Sequence, residues 1–296
     1  MDPAAIQRLS WDELRAYWRA HATRSGALDL ENDPAALGNV CWPGAPVWLN
    51  EHLGALQAAT YEHLLALVPS PGAGERALEV GCGSGRWCRR LEGRGYDVVG
   101  IDLQPALIHL NRQRHPQLRF EQVALQDFSD DRHYDLVSSV TVIQHNPFDQ
   151  QVAMVRRIRS LLKPGGYALI LENIRDQADY VFSHDVAGWV DLFRLEGFDV
   201  LARRPYDYSP CLRAITGLGH LVARSTGRSA SRTGDPQNPP RTTPLTAPER
   251  LLRRAQLTGL WAAAAVDRPV ERLLSGRAGA APAVHCGFLF RAASRT

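Results

Sequence analysis

The chain has 296 residues, 34 basic against 31 acidic for a net charge of +3, and is 45% hydrophobic and 22% charged. At about 150 residues per domain this is one large domain or one domain with an extension, and the composition is that of a globular protein, neither collagenous nor disordered. So small a net charge makes no strong field for a polyanion, and nucleic acid is not an expected partner.

Five cysteines, Cys41, Cys82, Cys88, Cys211 and Cys286, are odd in number and form no CxxC pair, which argues against a disulfide framework and against a metal site. No basic-then-apolar leader opens the sequence and no run of about 18 apolar residues follows, so a cytoplasmic protein without a membrane span is expected.

Residues 1–70 read as helical: Leu14, Tyr17 and Trp18 sit at one-turn spacing, and a second amphipathic run covers 48–68. PSPGAGER breaks that pattern before a short apolar run at 77–80, continuous enough for a strand buried on both faces. Strand signals at 97–101, 118–122, 135–140 and 167–171 then alternate with helical ones at 85–93, 105–114 and 148–162. Such alternation predicts parallel strands joined by right-handed crossovers, hence an α/β, doubly wound sheet. A helix at 185–196 leads into GFDVLARR as a sixth strand. Residues 224–248, rich in Ser, Thr, Arg, Gly and Pro, lack the apolar surface to offset ordering and read as a mobile loop. A helical stretch from 248 to about 274 follows, and AVHCGFLFR closes with a strand.

The most informative segment is ALEVGCGSGRW, a strand running through Gly81, Gly83 and Gly85 into a helix. Glycine lets the backbone turn tightly and approach a ligand at the carboxyl end of a strand, where open α/β sheets bind cofactors. A dinucleotide fingerprint needs a glycine three residues after its second, and that position is Arg86. Glu79, two residues before the turn, would repel a pyrophosphate but suits a cationic group. Asp102, 23 residues after Glu79 and ending the next strand, is placed to accept hydrogen bonds from ribose hydroxyls. Together these carboxylates point to a nucleoside with a cationic amino-acid tail.

LEVGCGSG, GIDLQPALI, ALQDF, YDLVSSVTVIQH and LLKPGGYALILEN, in this order and spacing, resemble the class I S-adenosylmethionine-dependent methyltransferases over residues 76–203. The closing strand at 284–290 resembles that family's reversed seventh strand. The resemblance implies a Rossmann-like seven-stranded sheet with its last strand antiparallel, and S-adenosyl-L-methionine as cofactor. It implies an organisation in which 1–70 form an N-terminal helical lid, 71–204 the cofactor-binding core, 205–283 an insertion and 284–296 the final core strand. Glu79 is then expected at the methionine amino group, with the backbones of Gly81, Cys82 and Gly83 lining that tail. Asp102 would hold the ribose and Leu103 pack on the adenine, while Leu125 and Gln126 approach the base. Ala124 stands where many members carry an acid, which makes Asp127 its substitute.

His145 follows the fourth strand, where the acceptor meets the methyl group, and is expected to act as general base or substrate orienter, with Gln144 beside it at the methionine part. Trp42, Trp48, Asn50 and His52 fall in the lid, and Tyr206, Asp207 and Tyr208 follow the sixth strand; both groups are candidates for the acceptor pocket. The apolar stretch LTGLWAAAAVDRPVERLL reads as a buried or dimer-forming helix, the basis for expecting a homodimer.

The expected reaction is methyl transfer to oxygen or nitrogen of a small molecule, such as a secondary metabolite, sugar or lipid precursor. Two alternatives stand beside it. Over 119–173, LQDF, VIQH and the ILEN run ending at Asn173 are also similar to protein N-terminal amine methyltransferases, which implies roles for His145 and Asn173 at an acceptor amine. The fold also serves proteins that bind this cofactor without transferring a methyl group.

Overall fold

The computed structural model describes residues 11–13, 15, 16, 18, 47–175, 177, 178, 181–209, 211, 258, 259, 261–263, 265–267, 269–271, 273, 274 and 283–293. The expected mobile loop at 224–248, and Leu14, Tyr17 and Trp42, lie outside them.

The chain divides into two units, one comprising Met1–Ala27, Gln57–Pro205 and Val284–Thr296, the other Leu28–Leu56 and Tyr206–Ala283. Helix α1 (Val47–Leu65) has residues in both. In the first unit follow β1 (Arg76–Val80), α2 (Arg86–Arg94), β2 (Asp97–Asp102), α3 (Pro105–Arg114), β3 (Arg119–Gln122) and β4 (Tyr134–Val140). A 3-10 turn (Ile143–His145), α4 (Phe148–Leu161) and β5 (Leu162–Asn173) come next. A two-stranded hairpin of β6 (Gln177–Ala178) and β7 (Val181–Phe182), α5 (Val186–Leu195), β8 (Phe198–Tyr206) and β9 (His285–Ala292) complete the order.

Seven strands form one sheet in the order β3-β2-β1-β4-β5-β9-β8. The pairs from β3 through β5 are parallel and β9 runs antiparallel to β5, as expected for the Rossmann-like sheet. Strand order reverses between β1 and β4, which sets a crevice beyond their carboxyl ends. β5 begins earlier than its apolar run, because Leu162 pairs with Tyr134 before Lys-Pro-Gly-Gly shifts the register and Tyr167 pairs with Leu136.

Leu78, Val99, Val137, Ile158, Trp189, Phe193 and Phe290 belong to one continuous buried core. Two close approaches explain glycines inside strands. A Cβ at Gly100 would lie 2.9 Å from Cys88 Sγ, so α2 seats on β2 there. A Cβ at Gly287 would lie 2.7 Å from Leu64 and from Thr60, so the second half of α1 seats on β9. Tyr61 of α1 bonds Ser138 of β4 at 3.0 Å and stacks on Trp87 with ring centroids 4.4 Å apart, which makes Trp87 a packing residue.

In the second unit, Leu49 and Ala263 form a small cluster with Trp48, Leu53 and Cys211. The described residues between 258 and 274 are helical. Glu271 accepts from the amides of Asp207 and Tyr208, and Asp267 from that of Cys211, so two buried acids anchor the segment after β8. Trp261, Val266 and Leu273 are exposed. No helix among the described residues is long and apolar enough to cross a membrane.

Candidate active site

The glycine turn after β1 is built from left-handed backbone: Gly81, Gly83 and Gly85 have φ of 67°, 52° and 76°. At Gly81 a Cβ would come within 2.3 Å of Val142 Cγ2, so conformation and space both demand glycine. Gly85 caps α2. The Cys82 amide donates to Ile101 at 2.9 Å and its carbonyl accepts from Gly85 at 2.8 Å, so the Cys82 backbone closes the turn, with its side chain buried.

Glu79 is fully buried in β1, and neither of its carboxyl oxygens has a hydrogen-bond partner. Burial pushes its pKa up to about 8, while the nearby Ser138 hydroxyl, whose hydrogen-bond partner is Tyr61 rather than Glu79, and the Arg86 charge pull the other way. A buried carboxyl left in this state is costly unless a cation meets it.

Asp102, at the end of β2, accepts from the Gly83 amide at 2.8 Å and from the Gln104 amide at 2.9 Å. Burial raises its pKa, against these backbone bonds. One carboxylate thus ties the glycine turn to the next strand, and each oxygen keeps a further lone pair. Leu103 is half-buried beside it. Asn111, buried on α3, donates to the Gly83 carbonyl at 2.8 Å and holds the turn from the other side. Sequence reasoning missed it, although its signal was present: a polar side chain on the helix face of Leu107 and Ile108.

After β3, the Leu125 side chain lies in the hydrophobic core, leaving its backbone as the part able to meet a base. Gln126 carries a buried amide nitrogen with no partner. Asp127 is largely exposed and pairs with Arg15 at 3.5 Å.

The exit from β4 forms the facing wall. Thr141 has φ of 56°, a strained conformation for a β-branched residue, and its amide bonds the Leu171 carbonyl at 2.7 Å. Gln144 is buried, and its Oε1 accepts from the Asn173 amide at 2.6 Å. That fixes its Nε2 toward His145 Nε2, 3.4 Å away. Gln144 thus lies against His145 at the exit of β4, and its expected contact with the methionine part is a matter for the bound cofactor. His145 is half-buried, and the Trp18 ring lies over it with centroids 4.7 Å apart and planes tilted by 54°. Trp18 and Arg15 thus bring the N-terminal helical residues onto both the His145 turn and Asp127.

Other candidates are engaged differently. Asn173 Oδ1 accepts from the Arg175 amide at 2.8 Å and from Ser183 at 3.1 Å. Trp48 packs in the Leu49–Ala263 cluster, and Asn50, His52, Tyr206, Asp207 and Tyr208 are buried.

A family model described as a methyltransferase domain matches residues 52–214, more than half of the chain. The chain belongs to the methyltransferase domain family. It is 25% identical over 199 residues to a ubiquinone biosynthesis O-methyltransferase of Acinetobacter baylyi, covering 65% of this chain and 73% of that protein. With the protein of the same name from Xanthomonas campestris it shares 32% over 142 residues, 45% of this chain and 55% of that one. A Galdieria sulphuraria structure provisionally described as a sarcosine dimethylglycine methyltransferase superposes with a TM-score of 0.51 at 15% identity, covering 81% of this chain and 86% of that one. The fold is common to both structures.

As a class I S-adenosylmethionine-dependent methyltransferase, the protein takes S-adenosylmethionine as its cofactor, and its own residues fit that molecule. The unpartnered buried carboxyl of Glu79 would suit an ammonium, and the unpartnered Nε2 of Gln126 would suit a ring nitrogen.

Proposed function

We propose that the protein methylates an oxygen of a small-molecule acceptor, with His145 at the reacting hydroxyl. The observation that carries this reading is the anchored His145 turn opposite the glycine turn, with Val142 packed against Gly81. Oxygen is favoured over nitrogen by the curated relatives' shared description as O-methyltransferases.

When bound, S-adenosylmethionine supplies the activated methyl group. Glu79 holds the ammonium, Asp102 the ribose hydroxyls, and Gln126 with the Leu125 backbone the adenine edge, while Leu103 packs on the base. Asp127, through Arg15, ties the N-terminal residues to the adenine side. Gln144 directs an N–H at His145 Nε2, so the neutral ring carries its hydrogen on Nδ1. At 3.4 Å that bond is long, and an acceptor hydroxyl displaces it and gives its proton to Nε2. Trp18 covers this side of the ring and keeps water from it.

The amine reading is less well supported, because Asn173 already accepts two hydrogen bonds within the fold.

Calorimetric titration with S-adenosylhomocysteine, with Glu79→Ala and Asp102→Ala as controls, tests the cofactor site. A screen of phenols, sugars and hydroxylated lipids against amines and a peptide with a free N-terminus, read as mass gain, then tests the acceptor. Methylated amines with no methylated hydroxyl compound would overturn the oxygen assignment.

A further inference from the structure

Glu172 took no part in the sequence argument, yet it is as fully buried as Glu79. It sits near the end of β5 and reaches across to the exit of β4. Oε1 accepts from the Val142 amide at 3.2 Å and the Ile143 amide at 2.9 Å, and Oε2 from the Gln144 amide at 3.2 Å. Three consecutive amides converge on one side chain only where the backbone is sharply bent, and the left-handed Thr141 makes that bend.

The three-residue 3-10 turn has no side-chain cap from its own segment. Its leading N–H groups would otherwise be buried without acceptors, and Glu172 supplies those acceptors from the neighbouring strand. The cost of burying the carboxyl is visible in its pKa, pushed up to about 8 against the three bonds. A polar side chain at the centre of a sheet is held there for what it orders.

We propose that Glu172 is a positioning residue for methyl transfer: it fixes the 142–144 backbone so that Val142 packs on Gly81 and His145 is presented beneath Trp18. One carboxyl then sets both the Val142–Gly81 contact and the presentation of His145. The catalytic meaning of this role rests on the proposed function of His145, whereas its geometry does not.

The test reads that geometry without cofactor or acceptor. Histidine ring protons are followed by NMR in the wild type, with His145→Ala assigning the His145 signals among the ten histidines and Trp18→Leu giving their position once the indole's ring current is gone. In Glu172→Gln, which replaces one acceptor oxygen by a donor, the His145 signals should move toward their Trp18→Leu position while other histidine signals stay. In Glu172→Gln/Trp18→Leu no such further move should occur. Glu172→Asp, which keeps both acceptor oxygens one methylene shorter, should shift less and carries the comparison if the glutamine variant does not fold. His145 signals unmoved in a folded variant would overturn the proposal, as would a general shift of all histidines. Failure of both variants to fold would also overturn it, assigning Glu172 to folding instead. The proposed reaction would be untouched by any of these outcomes.

Discussion

The Asp102 carboxylate and the Gly83 amide are joined at 2.8 Å, so the residue expected to hold a ribose also braces the turn beside it. Asp102→Asn should therefore do two things at once. Its new amide N–H replaces one acceptor opposite the Gly83 or Gln104 amide, which should cost about 1–3 kcal/mol. S-adenosylhomocysteine binding should weaken about tenfold or more. Thermal unfolding and calorimetry on the same preparation separate the two effects, and a variant with unchanged affinity would remove Asp102 from the cofactor site.

Glu79 should make cofactor binding depend on pH. Its carboxyl keeps its proton up to about 8, against an ordinary value of 4.5. Between these values the folded protein holds a proton that the unfolded chain has released, so this group's contribution to stability falls as pH rises through the window. A ligand ammonium pairs with the ionised carboxylate and expels that proton. Affinity for S-adenosylhomocysteine should accordingly rise up to about tenfold per pH unit below 8 and then level off. Titrations in two buffers of different ionisation enthalpy count the proton released, and Glu79→Gln should abolish that release.

Gly81→Ala should be among the most damaging small substitutions in the chain. Its positive φ disfavours alanine by about 1 kcal/mol, and the overlap with Val142 adds about 1–3 kcal/mol. Val142→Ala in the same chain should recover the steric part but not the conformational part. Denaturant midpoints of the two single variants and the double variant measure this coupling.

Asn173→Ala separates the oxygen and amine readings. Since its side chain serves Arg175 and Ser183, the variant should lose about 1–2 kcal/mol of stability while KM for a hydroxyl acceptor stays within about twofold. A collapse of kcat with the fold intact would place Asn173 at the acceptor after all.

Much of the core was legible because its signals are local. The alternation of short apolar runs with amphipathic stretches fixed β1 to β5 and their helices, and the glycines with Glu79 and Asp102 located the crevice. What sequence could not reveal depends on register between distant strands. Glu172 faces the 142–144 amides only because β4 and β5 pair as they do, and Gln144 is held beside His145 because the Asn173 amide takes its oxygen. Leu125 illustrates the same limit. Its place in ALQDF suggests an adenine neighbour, but spacing alone does not say that its side chain turns into the core.

The position of β9 has a consequence for how the protein is made. It lies between β5 and β8, yet it is later in sequence than both. At synthesis rates of about 5–20 residues per second, β8 leaves the ribosome several seconds before the strand that joins it to the sheet. Throughout that interval β5 exposes one row of unpaired backbone groups and β8 has no neighbour in the sheet, the state in which edges capture other chains. Nascent chains stalled before residue 285 should therefore be the form most dependent on chaperones.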